Sequence, residues 1–357
     1  MDKNLQDNFL SLVRLGIGHS VSIPCETFDW QALQALAMEL GLYAIALDGV
    51  EKLSLSSRPP QDLLLEWIGE VLQSYEYQYK QYCKAIAEMA GFYNSHGYKM
   101  MVLKGYACSL NWPKPEHRPC GDIDVWLFGK QKEADAIIAR DKGIVVDCSH
   151  HHHTVFTWGE FMVENHFDFI NVHHHKSHVA LEKTLKELGA DDSHFVEVSG
   201  EKVYLPSADL HALFLLKHAA LHFVGTELTF RQVLDWAFFV EKHGKNIDWD
   251  WLKGVLDENG MMPFFNIVNA ICVEDLGFDA GIFPSVQFLP LQKDRVLNEI
   301  FTYKYEDDLT LNFFMRQVHR FQRWNGNGWK HELCYKESMW SAFWSGVWGH
   351  LLKPASI

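Results

Sequence analysis

Two aspartates spaced two residues apart, Asp122 and Asp124 in the run Gly121-Asp122-Ile123-Asp124-Val125, offer the plainest chemistry in this chain. In an extended strand alternate side chains share a face, so both carboxylates point the same way. Two like charges held side by side repel unless a cation lies between them. Mg²⁺, or Mn²⁺ in its place, takes such oxygen ligands and keeps positions for water and phosphate oxygens. Ile123, Val125 and Leu127 fall on the other, apolar face and would seat the strand in a core. Replacing either aspartate by asparagine should relieve the repulsion.

The neighbouring residues suit a phosphate. Val102-Leu103-Lys104-Gly105-Tyr106-Ala107 reads as an apolar strand running into a glycine and a short helix. Gly105 lets a phosphate approach the backbone, the helix start turns N–H groups toward it, and Lys104 adds a point charge. The same residues also suit an ordinary strand-to-helix turn with a surface lysine. Arg118, four residues before Asp122, is either a phosphate ligand or a loop arginine. Downstream, Glu164 is flanked by Phe161, Val163 and Phe167. A carboxylate inside an apolar strand is rare unless paired or metal-bound, which makes Glu164 a candidate third ligand. His166 shares its strand face and is placed to meet an acceptor. Asp168 is the rival carboxylate.

These residues need a sheet to hold them. The chain has 357 residues, more than one typical domain, so two or three compact units are expected. Residues 1–96 read as helical, with apolar residues three and four apart at Leu33, Leu36, Ala37 and Leu40 and along a long run from Gln61 to Tyr93. The texture changes at Gly97. Short apolar runs at Tyr98–Leu103 and Ile123–Phe128 read as strands, Lys130–Arg140 as a helix, and Gly143–Val146 as an extended segment. His153–Trp158 and Phe161–Ile170 form a hairpin turning at Gly159-Glu160. Residues 97–205 therefore make a small α+β unit. Helical periodicity returns from Pro206 to 357, with runs at Leu210–Leu221 and Leu228–His243 and a break at Asn325-Gly-Asn-Gly328. The stretch Met339–Leu351 has one broad apolar face that should pack on its own domain.

The histidines divide into two sets. His150–His153 and His173–His175 with His178 lie at strand ends or loops. Consecutive strand residues face opposite ways, so solvated histidines fit these runs better than one zinc site. His211, His218 and His222 share a helical face, and His218 and His222 read either as a polar seam toward a cleft or as core histidines. Net charge is −14, from 32 basic and 46 acidic residues, with no basic stripe. That argues against a long nucleic acid as partner and leaves a nucleotide open. No stretch approaches the ~20 apolar residues of a membrane span. Seven scattered cysteines and an N-terminus without a leader point to a cytoplasmic protein.

The order Leu103-Lys104-Gly105, then Arg118-Pro119-Cys120-Gly121-Asp122-Ile123-Asp124, then Glu164-Asn165-His166 resembles the uncharacterised bacterial nucleotidyltransferase family of the polymerase-β-like superfamily. Lys217-His218, His222 and Phe230-Arg231 to Asp235 resemble that family's helical segment. The resemblance implies an α+β fold, with a small mixed β-sheet nucleotidyltransferase core flanked by N-terminal and C-terminal helical regions. It implies transfer of a nucleoside monophosphate from an NTP such as ATP to a hydroxyl of a small-molecule acceptor, releasing pyrophosphate. Asp122, Asp124 and Glu164 would be the catalytic metal ligands in a two-metal scheme. Lys104, Gly105, Arg118 and Gly121 would bind the nucleotide, and His166, His218 and His222 would line the acceptor cleft. Nucleotidylation of a protein or tRNA, as in toxin–antitoxin pairs, and non-catalytic nucleotide binding are the alternatives. The chain carries Lys104-Gly105-Tyr106 where most of the superfamily has Gly-Ser or Gly-Gly.

Overall fold

The fold is taken from a computed structural model of the chain, which describes residues 2–19, 28–173, 175–284, 289–302 and 313–344. Four helices come first: α1 (Lys3–Gly16), α2 (Trp30–Glu39), α3 (Tyr43–Glu51) and α4 (Gln61–Val71). Asp2 and Asp29 cap α1 and α2 by accepting from the N–H groups of Asn4 and Ala32. A π-helical stretch, Leu72–Tyr77, joins α4 to α5 (Gln78–Ser95), so the expected run from Gln61 to Tyr93 is helical with one wide turn inside it.

The sheet follows. Its strands are β1 (Met101–Val102), β2 (Ile123–Trp126), β3 (His153–Trp158), β4 (Phe161–His166), β5 (Phe195–Val198) and β6 (Glu201–Tyr204). They lie in the order β3-β4-β2-β1-β6-β5. β2 runs parallel to β4 and β1 parallel to β6, while the other neighbours are antiparallel. Between the strands come α6 (Gly105–Ser109), α7 (Gln131–Lys142) and α8 (Ser177–Leu188). The fold is α+β, with one six-stranded mixed sheet and flanking helices.

Period-2 alternation splits the sheet chemically. Ile123, Val125 and Val163 are fully buried and join Ile86, Met89 and Tyr93 of α5 and Ala134 and Ile138 of α7 in one core cluster. The other parity holds Asp124, Glu164 and His166. β1 is shorter than the expected Tyr98–Leu103, and residues 143–146 form no strand. Ile144 and Val146 pack against the core cluster, and the next residue, Asp147, bridges to Val155. The β5–β6 hairpin and α8 were not expected. The hairpin turns on Ser199 and Gly200, both at positive φ, as a tight two-residue turn requires.

By its contacts the chain forms two compact units, one on Gly69–Phe214 and one on Met1–Ile68, Leu215–Gly244 and Asp248–Met339. α9 (Ala208–Gly225) begins in the first and ends in the second. The second continues with α10 (Phe230–His243), α11 (Trp249–Glu258), α12 (Met262–Ala270), α13 (Pro290–Thr302), α14 (Phe313–Gly326) and α15 (Gly328–Cys334). Thr229 and Gln232 close a reciprocal capping box at the start of α10. The Asn325–Gly328 break separates α14 from α15. Within this unit Lys217 is 1% exposed, its ammonium 4.2 Å from the centre of the Tyr335 ring. Burial pushes its pKa down to about 7.

Residues 339–344 are helical, and Trp340 and Trp344 are 54% and 58% exposed. The rest of the expected apolar face, 345–351, lies outside the described residues. Among the described residues no helix is long and apolar enough to cross a membrane.

Candidate active site

The site is built on the middle of the sheet. Parallel pairing of β2 with β4 sets Asp124 opposite Glu164, and Trp126 opposite His166. Asp124, Glu164 and His166 each bring one ligand atom to within 4.8 Å of the others. Antiparallel pairing on the far side of β4 sets His153 opposite His166, and the His153 Nε2 lies 3.8 Å from Glu164 Oε1. From the end of β1, Lys104 Nζ reaches Asp124 Oδ1 at 2.6 Å, and His166 Nε2 meets the same oxygen at 3.1 Å.

The charges hold one another. Burial favours the neutral form of Asp124, but Lys104 and His166 outweigh it and keep the carboxyl well below the usual range. Burial lowers His166, yet its bonds to Asp124 and Glu164 raise it to about 9. Lys104 is pulled down by burial and held above its ordinary value by Asp124, Glu164 and Asp122. Asp122 differs. Burial first, then the Asp124 charge, raise its carboxyl. So the repulsion expected of the pair falls on Asp122, while Asp124 is already neutralised. Burial also lowers His153, to about 4.

Behind the site a buried polar network ties β3 and β4 to α7. Asn165 Nδ2 donates to Asp135 Oδ1 at 2.7 Å, and Thr154 Oγ1 donates to Asp135 Oδ2 at 2.9 Å. Gln131 Nε2 donates to the same carboxylate and to Thr154 Oγ1. Asn165 stands between Glu164 and His166, so the network fixes the strand that carries both. Sequence reasoning missed Asp135. The available signal was Gln131 and Asp135 at an i, i+4 spacing beside Ala134 and Ile138.

Tyr82 on α5 supports the other side. Its hydroxyl donates to the Asp122 carbonyl at 2.8 Å. Gly105 lies against that hydroxyl: a Cβ there would sit 2.1 Å from Tyr82 Oη, and its φ is +41°. Gly105→Ala is therefore expected to destabilise the fold by about 1–3 kcal/mol, and removing the hydroxyl with Tyr82→Phe should restore part of that loss. Urea denaturation of the single and double variants measures it. A Gly105→Ala protein of wild-type stability would mean that Tyr82 yields freely.

A family model described as uncharacterised nucleotidyltransferase matches residues 26–274, which span both the carboxylate strands and most of the flanking helices. The chain belongs to the uncharacterised nucleotidyltransferase family. No curated protein and no solved structure matches it.

The remaining candidates of this nucleotidyltransferase are placed as follows. Gly121 is exposed at the entry to β2, and a Cβ there would meet nothing within 4 Å. Arg118 is buried, its Nη1 donating to the Pro119 carbonyl at 3.1 Å and to Cys120 Sγ at 3.5 Å. It thus braces the loop that leads into Asp122. β4 ends at His166, and Asp168 pairs with Lys186 of α8 instead of joining the carboxylates. His218 and His222 lie on the helical unit's part of α9, their Nε2 atoms 3.1 Å apart. Of the histidine runs, His174 lies outside the described residues.

Proposed function

We propose that this nucleotidyltransferase moves a nucleoside monophosphate from an NTP to a hydroxyl of a small-molecule acceptor, on a polymerase-β-like core. The observation that carries the reading is the convergence of Asp124, Glu164 and His166 within 4.8 Å beside Lys104. Asp122, Asp124 and Glu164 supply the oxygen ligands that Mg²⁺ or Mn²⁺ prefers. When bound, such an ion neutralises the triphosphate and lowers the pKa of an attacking hydroxyl.

The chain's own residues do the rest. Lys104, paired with Asp124, would be released toward the phosphates if Asp122, Asp124 and Glu164 held a divalent ion. Gly121 leaves its flank open to a nucleotide, and Arg118 holds the approach loop. Glu164 and His166, fixed by the Asn165 anchor, position the acceptor hydroxyl for in-line attack on the α-phosphorus, and pyrophosphate leaves. The acidic balance of the chain, −14, supports a small acceptor over tRNA.

The test is a thermal-shift screen of the four NTPs with and without Mg²⁺, followed by an assay of pyrophosphate release. One NTP should raise the melting temperature only with metal, since ligands of the native state stabilise by mass action. Lys104→Ala should weaken that shift about tenfold or more in NTP concentration, the scale of a charged hydrogen bond of about 1.5–3 kcal/mol. An NTP shift with no pyrophosphate release under any acceptor would make the chain a nucleotide binder.

A further inference from the structure

The transfer chemistry leaves the histidines at the start of β3 unused. His152 lies one residue before the strand, so the alternation that would part it from His153 does not apply. Its carbonyl accepts from the N–H groups of Phe167 and Asp168, both at 3.0 Å, which fixes its backbone beside the end of β4. The His152 and His153 ring centres are 4.3 Å apart, and each is within 5.6 Å of the His166 ring. One ligand nitrogen from each of the three lies within 4.8 Å of the others.

A second observation points to a ligand. His153 is 7% exposed and its Nδ1 is buried with no hydrogen-bond partner. A buried imidazole nitrogen left without a partner is costly, and coordination satisfies it. Three imidazoles suit a borderline transition metal, whereas Mg²⁺ favours oxygen. Three histidines with an open fourth position are also a common way to hold Zn²⁺. We propose that His152, His153 and His166 form a transition-metal site, Zn²⁺ first among its ions, adjoining the carboxylates; His166, whose ring nitrogens meet Asp124 and the Asp168 carbonyl, gives up a proton to solvent on coordination. The site stands whether or not the chain transfers nucleotides.

The test uses the full chain, untagged, purified without metal-affinity resin and stripped with a chelator. Zn²⁺ is titrated in competition with a chromophoric chelator, and Co²⁺ serves as a visible-absorption probe. The expected result is one tightly held Zn²⁺ and intense, tetrahedral-type Co²⁺ bands, both resistant to excess Mg²⁺. His153→Ala and, separately, His152→Ala should weaken Zn²⁺ at least about 100-fold, with the melting curve of each metal-free variant reporting its fold. His173→Ala, at an exposed position outside the triad, should leave binding unchanged. Absence of bound Zn²⁺ in the wild type overturns the proposal. So does unchanged affinity in a folded His152→Ala or His153→Ala variant, or equal loss in His173→Ala.

Discussion

Asparagine in place of Asp124 is expected to cost this nucleotidyltransferase both its transfer activity and its stability. Asp124 is 1% exposed and is the shared partner of Lys104 and His166. Asparagine leaves two cationic groups with only Glu164 and the more distant Asp122 to balance them. Breaking a buried pair from one side costs about 3–5 kcal/mol. Transfer should fall by at least about 10²–10³-fold, the scale on which losing one charge-stabilising group acts. Asp122→Asn is the internal contrast. The Asp122 carboxyl is raised by burial and by Asp124, so the amide relieves strain there. That variant should keep or gain stability while losing transfer to a similar degree. Urea denaturation beside pyrophosphate release separates the two effects. If Asp122→Asn proved the less stable variant, the assignment of Lys104 and His166 to Asp124 would be wrong.

Lys217→Met should stabilise the protein by about 1–4 kcal/mol at pH 7, the range seen when buried charge gives way to apolar packing. The folded pKa of Lys217 is about 7, against an ordinary 10.5. Below about pH 7 both the folded and unfolded chains carry the proton, and the penalty of the buried charge is fully present. Between about 7 and 10.5 the unfolded chain binds more protons, so wild-type stability climbs as pH rises. Above 10.5 neither state is charged and the penalty is gone. With about 1.4 kcal/mol for each tenfold change in proton affinity, the ceiling is about 5 kcal/mol. The gap between variant and wild type should therefore narrow from pH 7 to 10. A gap that stays constant, or a less stable Lys217→Met, would mean that Lys217 gains compensating interactions when charged.

What could be read in the sequence, and what could not, follows strand parity. Asp124 is legible because a strand repeats every two residues, and Glu164 because its flanks are apolar, whereas Asp122 lies one residue ahead of β2, outside that alternation. Asp168 misleads for the same reason: the strand stops at His166, and parity means nothing beyond that point. The Lys104–Asp124 pair depends on β1 lying antiparallel to β2, a non-local fact that two residues of strand cannot announce. The partnership of His153 with His166 likewise needs the register of the hairpin. Ser199-Gly200 between Phe195–Val198 and Glu201–Tyr204 is a two-residue turn signal of small residues that joins β5 to β6.

The network of Asp135, Thr154, Asn165 and Gln131 has a consequence for folding fidelity. Asn165 is fully buried on the face that otherwise holds Val163 and Phe161. If β4 slipped by one residue, Glu164 or His166 would enter the apolar core and Asp135 would lose its amide donor. The misregistered sheet would thus carry an uncompensated carboxylate or imidazole in place of an amide that donates to Asp135, a penalty that an all-valine strand would not impose. The buried polar knot favours the arrangement that presents Asp124, Glu164 and His166 together. Substitutions that simplify this core to hydrocarbon should therefore yield a protein that folds to more than one strand register.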